Sequence, residues 1–345
     1  MAAYTTIDDA GSFFNPVLYT GTGAELVISG AGFQPDLIWN KERSGTEGQN
    51  WTDAVRGATK YVMSNNTDGE STNAESVKSF DSDGFTLGTF DGMNTNTETY
   101  VSWNWKAGTT SGLSGGTITP TGYSINTTSG FGIYLYTGTN VNATIAHGLG
   151  VAPNLVIIKR LTSGAGWLVQ DTSLTSADYI IKLNSSDAES SDSANFNGTF
   201  PTSTVFSVGT SNNTNKTGDA HIAYVFANVQ GYSKFSSYIG NGNADGPFVY
   251  TGFRPAFVIV KRRDSGTHWF TYDDKRQGYN AKQSWLYANS GSAENTTGGT
   301  INLLSNGFKL TSSEADLNNS GSVILYVAFA QSPFVNSEGV PTNAR

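Results

Sequence analysis

One ten-residue pattern occurs three times in this chain and constrains the fold more than any other feature. The copies are GFQPDLIWNK (32–41), GVAPNLVIIK (150–159) and GFRPAFVIVK (252–261). Each has Gly first, Pro fourth, an apolar run and Lys tenth. Gly permits a tight turn, while Pro fixes φ and cannot donate to a β-ladder, so it belongs at a strand's first residues. We interpret each copy as the start of a strand whose Lys marks the exit to solvent.

The landmark residues of this pattern are Gly32, Pro35, Lys41, Gly150, Pro153, Lys159, Gly252, Pro255 and Lys261.

Other landmarks accompany each copy in the same order. Upstream are LYTGTG (18–23), LYTGTN (135–140) and the looser SYIGNG (237–242). Downstream, a Trp is followed by an acid, Asp53, Asp171 or Asp273, and each copy closes on YVSWNW, HIAYVF or ILYVAF. The prolines are 118 and 102 residues apart, far above the roughly 20 to 50 residues of solenoid repeats. The spacing therefore predicts tandem units, each large enough to hold its own core.

The periodicity inside the landmarks is typical of strands. The closing segments alternate with period two, as Ile222, Tyr224 and Phe226 do, which places these side chains on one face. The opening runs 155–158 and 257–260 are apolar at every position, which predicts strands buried between two layers. With turns rich in Gly, Asn and Ser between them, we expect three tandem antiparallel β-sandwich domains of jelly-roll or lectin-like type.

The landmarks and the composition of the connecting segments predict the domain boundaries. We expect a lead-in at 1–13, β-sandwich repeats at 14–108, 131–235 and 236–334, and a tail at 335–345. A Gly/Ser/Thr linker, flexible or extended, is expected at 109–130. The Asn- and Ser-rich segments between strands are expected to be projecting loops, where binding commonly resides.

Composition excludes several classes of function. The net charge of −8 and the 14% of charged residues disfavour nucleic acid as a partner, because that binding rests on clustered Lys and Arg. The main basic cluster, 261–263, is interpreted as solvated charge at a strand end. The chain has no Cys, which excludes disulfides and thiolate sites. Its start does not resemble an export signal, and no apolar run is long enough to span a membrane.

No pattern in the sequence predicts catalysis. The recurring acids after Trp are interpreted as turn or capping residues, and DSDG (81–84) as a tight turn and not a calcium loop. His147, His221 and His268 fall at unrelated repeat positions without metal-ligand spacing. We therefore expect no catalytic residue, metal site or cofactor.

A ligand-binding residue is suggested at one position only. Trp285, in KQSWLYANS, lies outside the shared landmarks, whereas most tryptophans occupy repeat positions and are expected in the core. An aromatic side chain of this kind can stack on a ligand when it is exposed. Trp285 is therefore the residue that we consider for a contact surface.

Phrases from most of the chain carry a resemblance to a known family. They are MAAYTTIDDAGSFFNPVLYTGTG, GFQPDLIWNK, VRGATKY, SFDSDGFTLG, YVSWNWKAG, VQGYSKFSSYIGNGNADGPFVYTGFRP and LLSNGFKL. In these phrases the chain resembles repeated β-domain proteins of tailed bacteriophages that infect marine bacteria, cyanobacteria in particular. Members of that family are described as virion structural, tail-fibre or appendage proteins. The resemblance implies no catalytic residues.

Together these observations predict a non-enzymatic virion protein, assembled in the host cytoplasm and displayed outside the particle. It would act as a tail-fibre-like attachment protein or a capsid decoration protein, with tail or capsid proteins as partners. We expect a homo-oligomer, possibly a trimer. One alternative is a carbohydrate-binding module for host surface polysaccharide, and another is a polysaccharide-cleaving enzyme with carboxylates assembled between domains.

Overall fold

The computed structural model describes residues 3–162, 164–298 and 300–342. Its strands form six sheets in which all neighbouring strands pair antiparallel, so the predicted all-β class is confirmed. No helix among the described residues is long and apolar enough to cross a membrane.

The sheets fall into three groups that follow one another along the chain, called unit 1 (14–108), unit 2 (109–232) and unit 3 (233–333). Unit 1 contains β1 (Phe14–Thr20), β2 (Leu26–Ser29), β3 (Leu37–Glu42), β4 (Asn50–Asp53), β5 (Lys60–Met63), β6 (Ser71–Thr72), β7 (Val77–Asp81), β8 (Gly84–Leu87), α1 (Asp91–Asn94) and β9 (Thr99–Trp105). A short 3-10 helix, Ala10–Ser12, precedes it.

Unit 2 contains β10 (Gly122–Asn126), β11 (Phe131–Thr137), β12 (Ala143–Ala146), β13 (Leu155–Arg160), β14 (Trp167–Asp171), β15 (Tyr179–Lys182), β16 (Ser190–Ser191), β17 (Val205–Val208), α2 (Asn212–Asn215) and β18 (Ala220–Phe226). Unit 3 contains β19 (Ser233–Ile239), β20 (Phe248–Tyr250), β21 (Phe253–Arg262), β22 (Phe270–Asp273), β23 (Leu286–Tyr287), β24 (Ile301–Leu304), β25 (Gly307–Leu310), α3 (Ala315–Asn318) and β26 (Val323–Pro333).

Each unit has one large and one small sheet. The large sheets have the orders β1-β9-β3-β4-β5-β6, β10-β11-β18-β13-β14-β15-β16 and β19-β26-β21-β22-β23. The small sheets have the orders β2-β8-β7, β12-β17 and β20-β25-β24. In every unit the opening strand (β3, β13 or β21) therefore lies beside the closing strand (β9, β18 or β26), as equivalent repeats require.

The two faces of each opening strand enter different cores, which explains its continuous apolar run. In β13, Val156 and Ile158 pack with the small sheet of unit 2. Leu155 and Ile157 point the other way, into a core shared with the other units. The interpretation of these runs as strands between two layers is confirmed. The second layer, however, comes from the neighbouring units, so each unit depends on the others to cover its large sheet.

The shared core contains the final aromatic residue of every closing strand. Trp105, Phe226 and Phe329 contact one another, with ring centroids 6.4 Å (Trp105–Phe226), 5.5 Å (Trp105–Phe329) and 5.8 Å (Phe226–Phe329) apart. A small cavity of about 30 Å³ beside them is lined by apolar side chains from all three units. The equivalent residues thus meet at a pseudo-threefold axis. Units 1, 2 and 3 are arranged around this axis, and we call this arrangement the ring.

The landmark glycines behave as expected and the landmark lysines do not. Gly32, Gly150 and Gly252 have φ values of +82°, +75° and +87°, in the left-handed region where a side chain would be strained. The expectation that the lysines mark exits to solvent is wrong, because Lys41 and Lys159 are 0% exposed and Lys261 is 1% exposed.

The reason for lysine burial lies in a neighbouring unit. Carbonyl oxygens of other units accept hydrogen bonds from the ammonium groups and replace water. We call Lys41, Lys159 and Lys261 the ring lysines. The interpretation of 261–263 as a solvated charge cluster fails for the same reason, since Lys261 lies inside an interface.

The expected linker is part of unit 2. β10 pairs with β11 along its length, and the amide of Thr117 donates to the carbonyl of Thr144 at 2.8 Å. Residues 109–130 therefore extend the second sandwich instead of spacing two domains. The third unit also begins slightly before 236, because β19 starts at Ser233.

The lead-in packs on the end of unit 2 and on unit 3, and the tail packs on unit 3. The Thr5 hydroxyl donates to the carbonyl of Gln230 at 2.7 Å, and the Tyr4 hydroxyl donates to the carbonyl of Gly252 at 2.8 Å. Asp8 accepts hydrogen bonds from Ser337, which joins the two terminal segments.

Candidate functional site

Three equivalent loops connect the units, and we call them the connector loops (65–70, 184–189 and 289–294). Each runs from an Asn to a Glu, and both residues have the same role in all three copies. The Asn side-chain oxygen accepts a hydrogen bond from a backbone N–H at or next to the first residue of β4, β14 or β22. The donors are Gln49, Trp167 and Trp269. These segments were expected to project as binding loops, but they hold neighbouring units together.

The glutamates close the ring through their backbone. The amides of Glu70, Glu189 and Glu294 donate to the carbonyls of Leu161, Arg263 and Arg43, at 2.8, 2.7 and 2.7 Å. Each bond crosses to a different unit, from unit 1 to 2, from 2 to 3 and from 3 to 1. The acceptors lie two residues after a ring lysine, so the bonds are equivalent under the pseudo-threefold symmetry.

The ring lysines repeat the same cycle with their side chains. Lys41 donates to the carbonyl of Gly291 at 3.0 Å, Lys159 to that of Thr67 at 2.9 Å, and Lys261 to that of Ser186 at 2.9 Å. Every acceptor belongs to a connector loop. Desolvation lowers the pKa of each ring lysine to about 8.

The acids that follow Trp stabilise turns, as their sequence position predicts. Asp53 accepts the Arg56 amide at 2.9 Å, Asp171 accepts the Ser173 amide at 2.7 Å, and Asp273 accepts the Arg276 amide at 2.8 Å. The interpretation of these acids as turn residues is confirmed. DSDG is likewise a tight turn, with Asp81 paired to Gly84 between β7 and β8.

Two of these acids are also neutralised inside an interface. Arg56 lies 2.5 Å from Asp53, and Arg276 lies 2.5 Å from Asp273. The next unit adds a donor to each, the Tyr224 hydroxyl at 2.8 Å to Asp53 and the Trp103 indole at 3.1 Å to Asp273. Although burial opposes ionisation, Arg276 holds the pKa of Asp273 below its usual value.

Asp171 departs from this pattern. The positions equivalent to the arginine and to the cross-unit donor are Leu174 and Val327, neither of which can pair with a carboxylate. Asp171 is 2% exposed, and burial raises its pKa to about 7. The interface between units 2 and 3 therefore holds a carboxyl group that is easily protonated.

A second departure affects the connector glutamates and lies beside a cavity. Arg43 pairs with Glu294 at 2.8 Å, and Arg263 pairs with Glu189 at 3.4 Å. The equivalent of these arginines at the interface of units 1 and 2 is Leu161. Among the described residues, Glu70 consequently pairs only with cations of its own unit, Arg56 and Lys60.

An open cavity of about 430 Å³ lies at this interface, and we call it the interface cavity. Its apolar lining is Val55, Leu135, Leu161 and Ala220, and its polar lining is Arg56, Lys60, Glu70 and Thr162. Its volume falls within the usual range of about 300–1,000 Å³ for small-molecule sites.

The polar groups of the cavity are incompletely paired. Arg56 Nη1 is buried and makes no hydrogen bond, and its contact with Glu70 is an ion pair at 3.5 Å. Lys60 Nζ lies 3.4 Å from Glu70, also as an ion pair. The cavity thus offers excess N–H donors beside one carboxylate whose lone pairs are not filled by short contacts.

The expected aromatic contact residue is not at the surface. Trp285 is 4% exposed and packs against Phe270, with ring centroids 6.0 Å apart. The suggestion that Trp285 offers a stacking surface is therefore wrong. Its place outside the shared landmarks reflects an additional core contact in unit 3.

The histidines and the acids form no metal centre among the residues that the structure describes, where no group of three or more His, Asp or Glu side chains could hold an ion. His147 and His221 are buried within unit 2, and desolvation lowers the pKa of His221 to about 4.

The sequence interpretation assigned no role to the repeated Tyr of the upstream landmarks and did not identify a repeated Asn. Tyr19, Tyr136 and Tyr238 each donate to a carbonyl in the short helix of their own unit, at 2.7, 2.5 and 2.7 Å. Each helix ends in a buried Asn that accepts the amide of Thr22, Thr139 or Asn241 at 2.8 Å. Aligning the residues before the closing strands would have revealed these asparagines, Asn94, Asn215 and Asn318.

The fold and its interfaces define an all-β protein in which three related units close a pseudo-threefold ring within one chain. The ring lysines, which are repeated in all three units, are buried and link neighbouring units. The chain belongs to the family described as a domain of unknown function, DUF7483, which matches residues 9–333. That range includes all three units, so the family corresponds to the whole ring. No curated protein and no solved structure matches the chain.

Proposed function

We propose that this protein is a non-enzymatic structural protein of a bacteriophage virion, displayed on the particle exterior as a tail-fibre-like attachment protein or a capsid decoration protein. The observation that carries the proposal is the closed ring of three related units. A ring of this symmetry can be seated as one chain on a threefold axis of a larger assembly, where three equivalent contacts are available. The resemblance to phage appendage proteins supports the same role.

The construction of the ring suits a protein that works outside a cell. Its units are joined by a shared aromatic core and by ion pairs across the interfaces, such as Arg43–Glu294 and Arg263–Glu189, without any Cys. Such contacts do not depend on the redox state of the surroundings, in contrast to disulfides. A chain that folds in the host cytoplasm would therefore keep the same structure after lysis.

The proposed partners are tail or capsid proteins. The surfaces by which three separate units would form a trimer are already buried within one chain, as the Trp105–Phe226 and Trp105–Phe329 contacts illustrate. We propose that homo-oligomers, where present, form through other surfaces, and that several copies per particle strengthen attachment by multivalency.

Mass spectrometry of purified particles of the phage that encodes this chain tests the proposal. We expect the protein in washed, intact particles at a stoichiometry of several copies. Cryo-electron microscopy of the same particles then separates a tail position from a capsid position. Absence of the protein from intact particles would overturn the virion role.

Carbohydrate binding is a second candidate function, and the interface cavity favours it. A module that recognises host surface polysaccharide needs a concave site with both apolar and polar lining. The cavity between units 1 and 2 has both. Binding can be measured on purified protein and is therefore tested separately from the presence of the chain in particles.

A further inference from the structure

The interface cavity lies where one residue breaks the pseudo-threefold symmetry. From its polar groups and shape we infer that the cavity binds a single neutral pyranose unit of a polysaccharide. This inference rests on the proposed carbohydrate-binding function and names its ligand. The attachment role matters only because it would bring the protein to the saccharide on the host surface.

The two intact interfaces show what is missing at the third. The guanidinium of Arg43 contacts Glu294 with Nε at 3.1 Å and Nη2 at 2.8 Å. Leu161 stands at the equivalent position beside Glu70 and is shorter and uncharged. The space and the hydrogen-bonding capacity left beside Glu70 therefore become available to a ligand.

Charge decides the class of ligand. Arg56 and Lys60 are cations, and Glu70 is an anion in the same cavity. An anionic ligand would meet the Glu70 carboxylate, and a cationic ligand would meet Arg56 and Lys60. A neutral ligand avoids both repulsions.

Hydrogen bonding narrows the class to polyols. Arg and Lys only donate, and an ionised carboxylate only accepts, whereas each hydroxyl can do both. Neighbouring hydroxyls can accept from Lys60 Nζ while donating to Glu70. Arg56 is part of the cavity lining and is held in place, because its guanidinium donates to Asp53 at 2.5 Å and to the Trp51 carbonyl at 2.9 Å.

The remaining lining matches the apolar face of a sugar ring. Val55, Leu135 and Leu161 supply aliphatic surface opposite the charged groups. A pyranose presents C–H groups on one face and hydroxyls at its edge, so both parts of the lining would be used. The open side of the cavity leaves room for the glycosidic link to the next sugar.

Saturation-transfer NMR and calorimetry on the full chain test this site. The probes are the methyl glycosides of glucose, galactose and mannose, together with glucuronic acid and glucosamine as charged analogues. We expect at least one neutral glycoside to bind at millimolar concentration and more tightly than its charged analogue. Failure of all neutral glycosides to bind, or binding of the charged analogues alone, overturns the inference.

Substitution of the symmetry-breaking residue provides the decisive variant. Leu161→Arg restores the residue found at the other two interfaces, so it is expected to pair with Glu70, occupy the space beside that carboxylate and preserve folding. Binding should weaken by about tenfold or more, because the ligand loses both space and the carboxylate. Val27→Arg adds the same charge at an exposed position and should leave binding unchanged.

A second variant removes the charge and one of the two acceptor oxygens of Glu70 without occupying the cavity. Glu70→Gln keeps the backbone bond to Leu161 and the side-chain length, and it should also weaken binding. Unchanged binding in both Leu161→Arg and Glu70→Gln would place the saccharide elsewhere and overturn the site. If binding is lost in these variants but the protein is absent from intact particles, the saccharide site is supported and the virion role is rejected.

Discussion

The ammonium group of Lys159 in unit 2 lies 2.9 Å from the carbonyl oxygen of Thr67 in unit 1. The same ammonium lies 2.6 Å from the carbonyl of Ala165 in its own unit. One side chain thus satisfies acceptors on both sides of an interface. Lys41 and Lys261 make equivalent contacts, so three lysines link three units in a cycle.

Removing one ring lysine should weaken the ring. In Lys159→Met, the carbonyls of Thr67 and Ala165 lose their ammonium donor inside a buried interface. We expect the free energy of unfolding to fall by about 1–3 kcal/mol, the usual cost of leaving a buried polar group unpaired. Denaturant titration measures this change.

Lys78→Met is the matched control, because Lys78 is exposed and its ion pair with Glu25 is also exposed. Exposed ion pairs contribute little to stability, because water screens their charges. Equal effects of the two substitutions would show that the bonds of Lys159 across the interface add no stability.

The ring lysines should make the protein more stable at mildly alkaline pH. Burial lowers their pKa to about 8, whereas a Lys in the unfolded chain titrates near 10.4. Between these values the unfolded state binds more protons, so the free energy of unfolding rises with pH. The rise from pH 7.5 to 9.5 is at most about 2 kcal/mol for each lysine.

Denaturant titrations at several pH values measure this profile. The range stops below pH 10, where the unfolded chain begins to ionise tyrosines that are buried and neutral in the folded state. The slope should be reduced by about a third in Lys159→Met if the three sites contribute equally. A flat profile between pH 7.5 and 9.5 would contradict the lowered pKa values.

Replacement of a buried Asp by Asn should change the stability differently at positions 171 and 53. Asp171 lacks a cationic partner, and its pKa is raised to about 7, so ionising it at pH 8 costs stability. We expect Asp171→Asn to leave the protein at pH 8 equally stable or more stable, by about 1 kcal/mol. The amide oxygen of Asn can still accept the Ser173 N–H.

Asp53→Asn is the comparison for this prediction. It leaves Arg56 buried without its carboxylate, and loss of one partner of a buried ion pair costs about 3–5 kcal/mol. Thermal or denaturant unfolding of both variants at pH 8 distinguishes the two sites. Equal destabilisation would mean that Asp171 also has a cationic partner in solution.

The aromatic contact at the pseudo-threefold axis should be critical for the entire ring. Phe329 packs on both Trp105 and Phe226, so Phe329→Ala removes contacts with two other units. We expect a loss of about 3–5 kcal/mol, as for other buried Phe to Ala changes. A single, shifted unfolding transition is expected, because all three units share this core.

Phe248→Ala serves as the control, since Phe248 is 46% exposed on the small sheet of unit 3. Exposed substitutions usually change stability by about 0.5 kcal/mol or less. Separate transitions for individual units in Phe329→Ala, followed by calorimetry, would contradict a shared core.

Features that depend on local chain geometry could be predicted from the sequence. The left-handed glycines Gly32, Gly150 and Gly252, the turn role of Asp53, and the two-faced burial of β13 all follow from residue type and period. The candidate site could not be predicted in the same way. Leu161 looks like an ordinary apolar residue until its equivalents Arg43 and Arg263 are placed beside Glu294 and Glu189.

Two interpretations failed because they treated each unit as independent. A Lys after a strand is usually solvated, and a Trp outside a repeat is a reasonable contact residue. Lys41 is buried by a loop that lies 250 residues away in the chain, and Trp285 fills the core of unit 3. Burial of this kind depends on neighbours that the local sequence does not specify.

The sequence by itself determined that the chain is all-β and built from three related units, because strand period and self-similarity are properties of the residue order. Only the tertiary structure decided that the units close a ring, that Lys41, Lys159 and Lys261 are its internal links, and that a cavity remains where Leu161 replaces an arginine. The physical reason is that a buried ammonium and an interface cavity both depend on groups from another unit, brought together only when the shared apolar core forms.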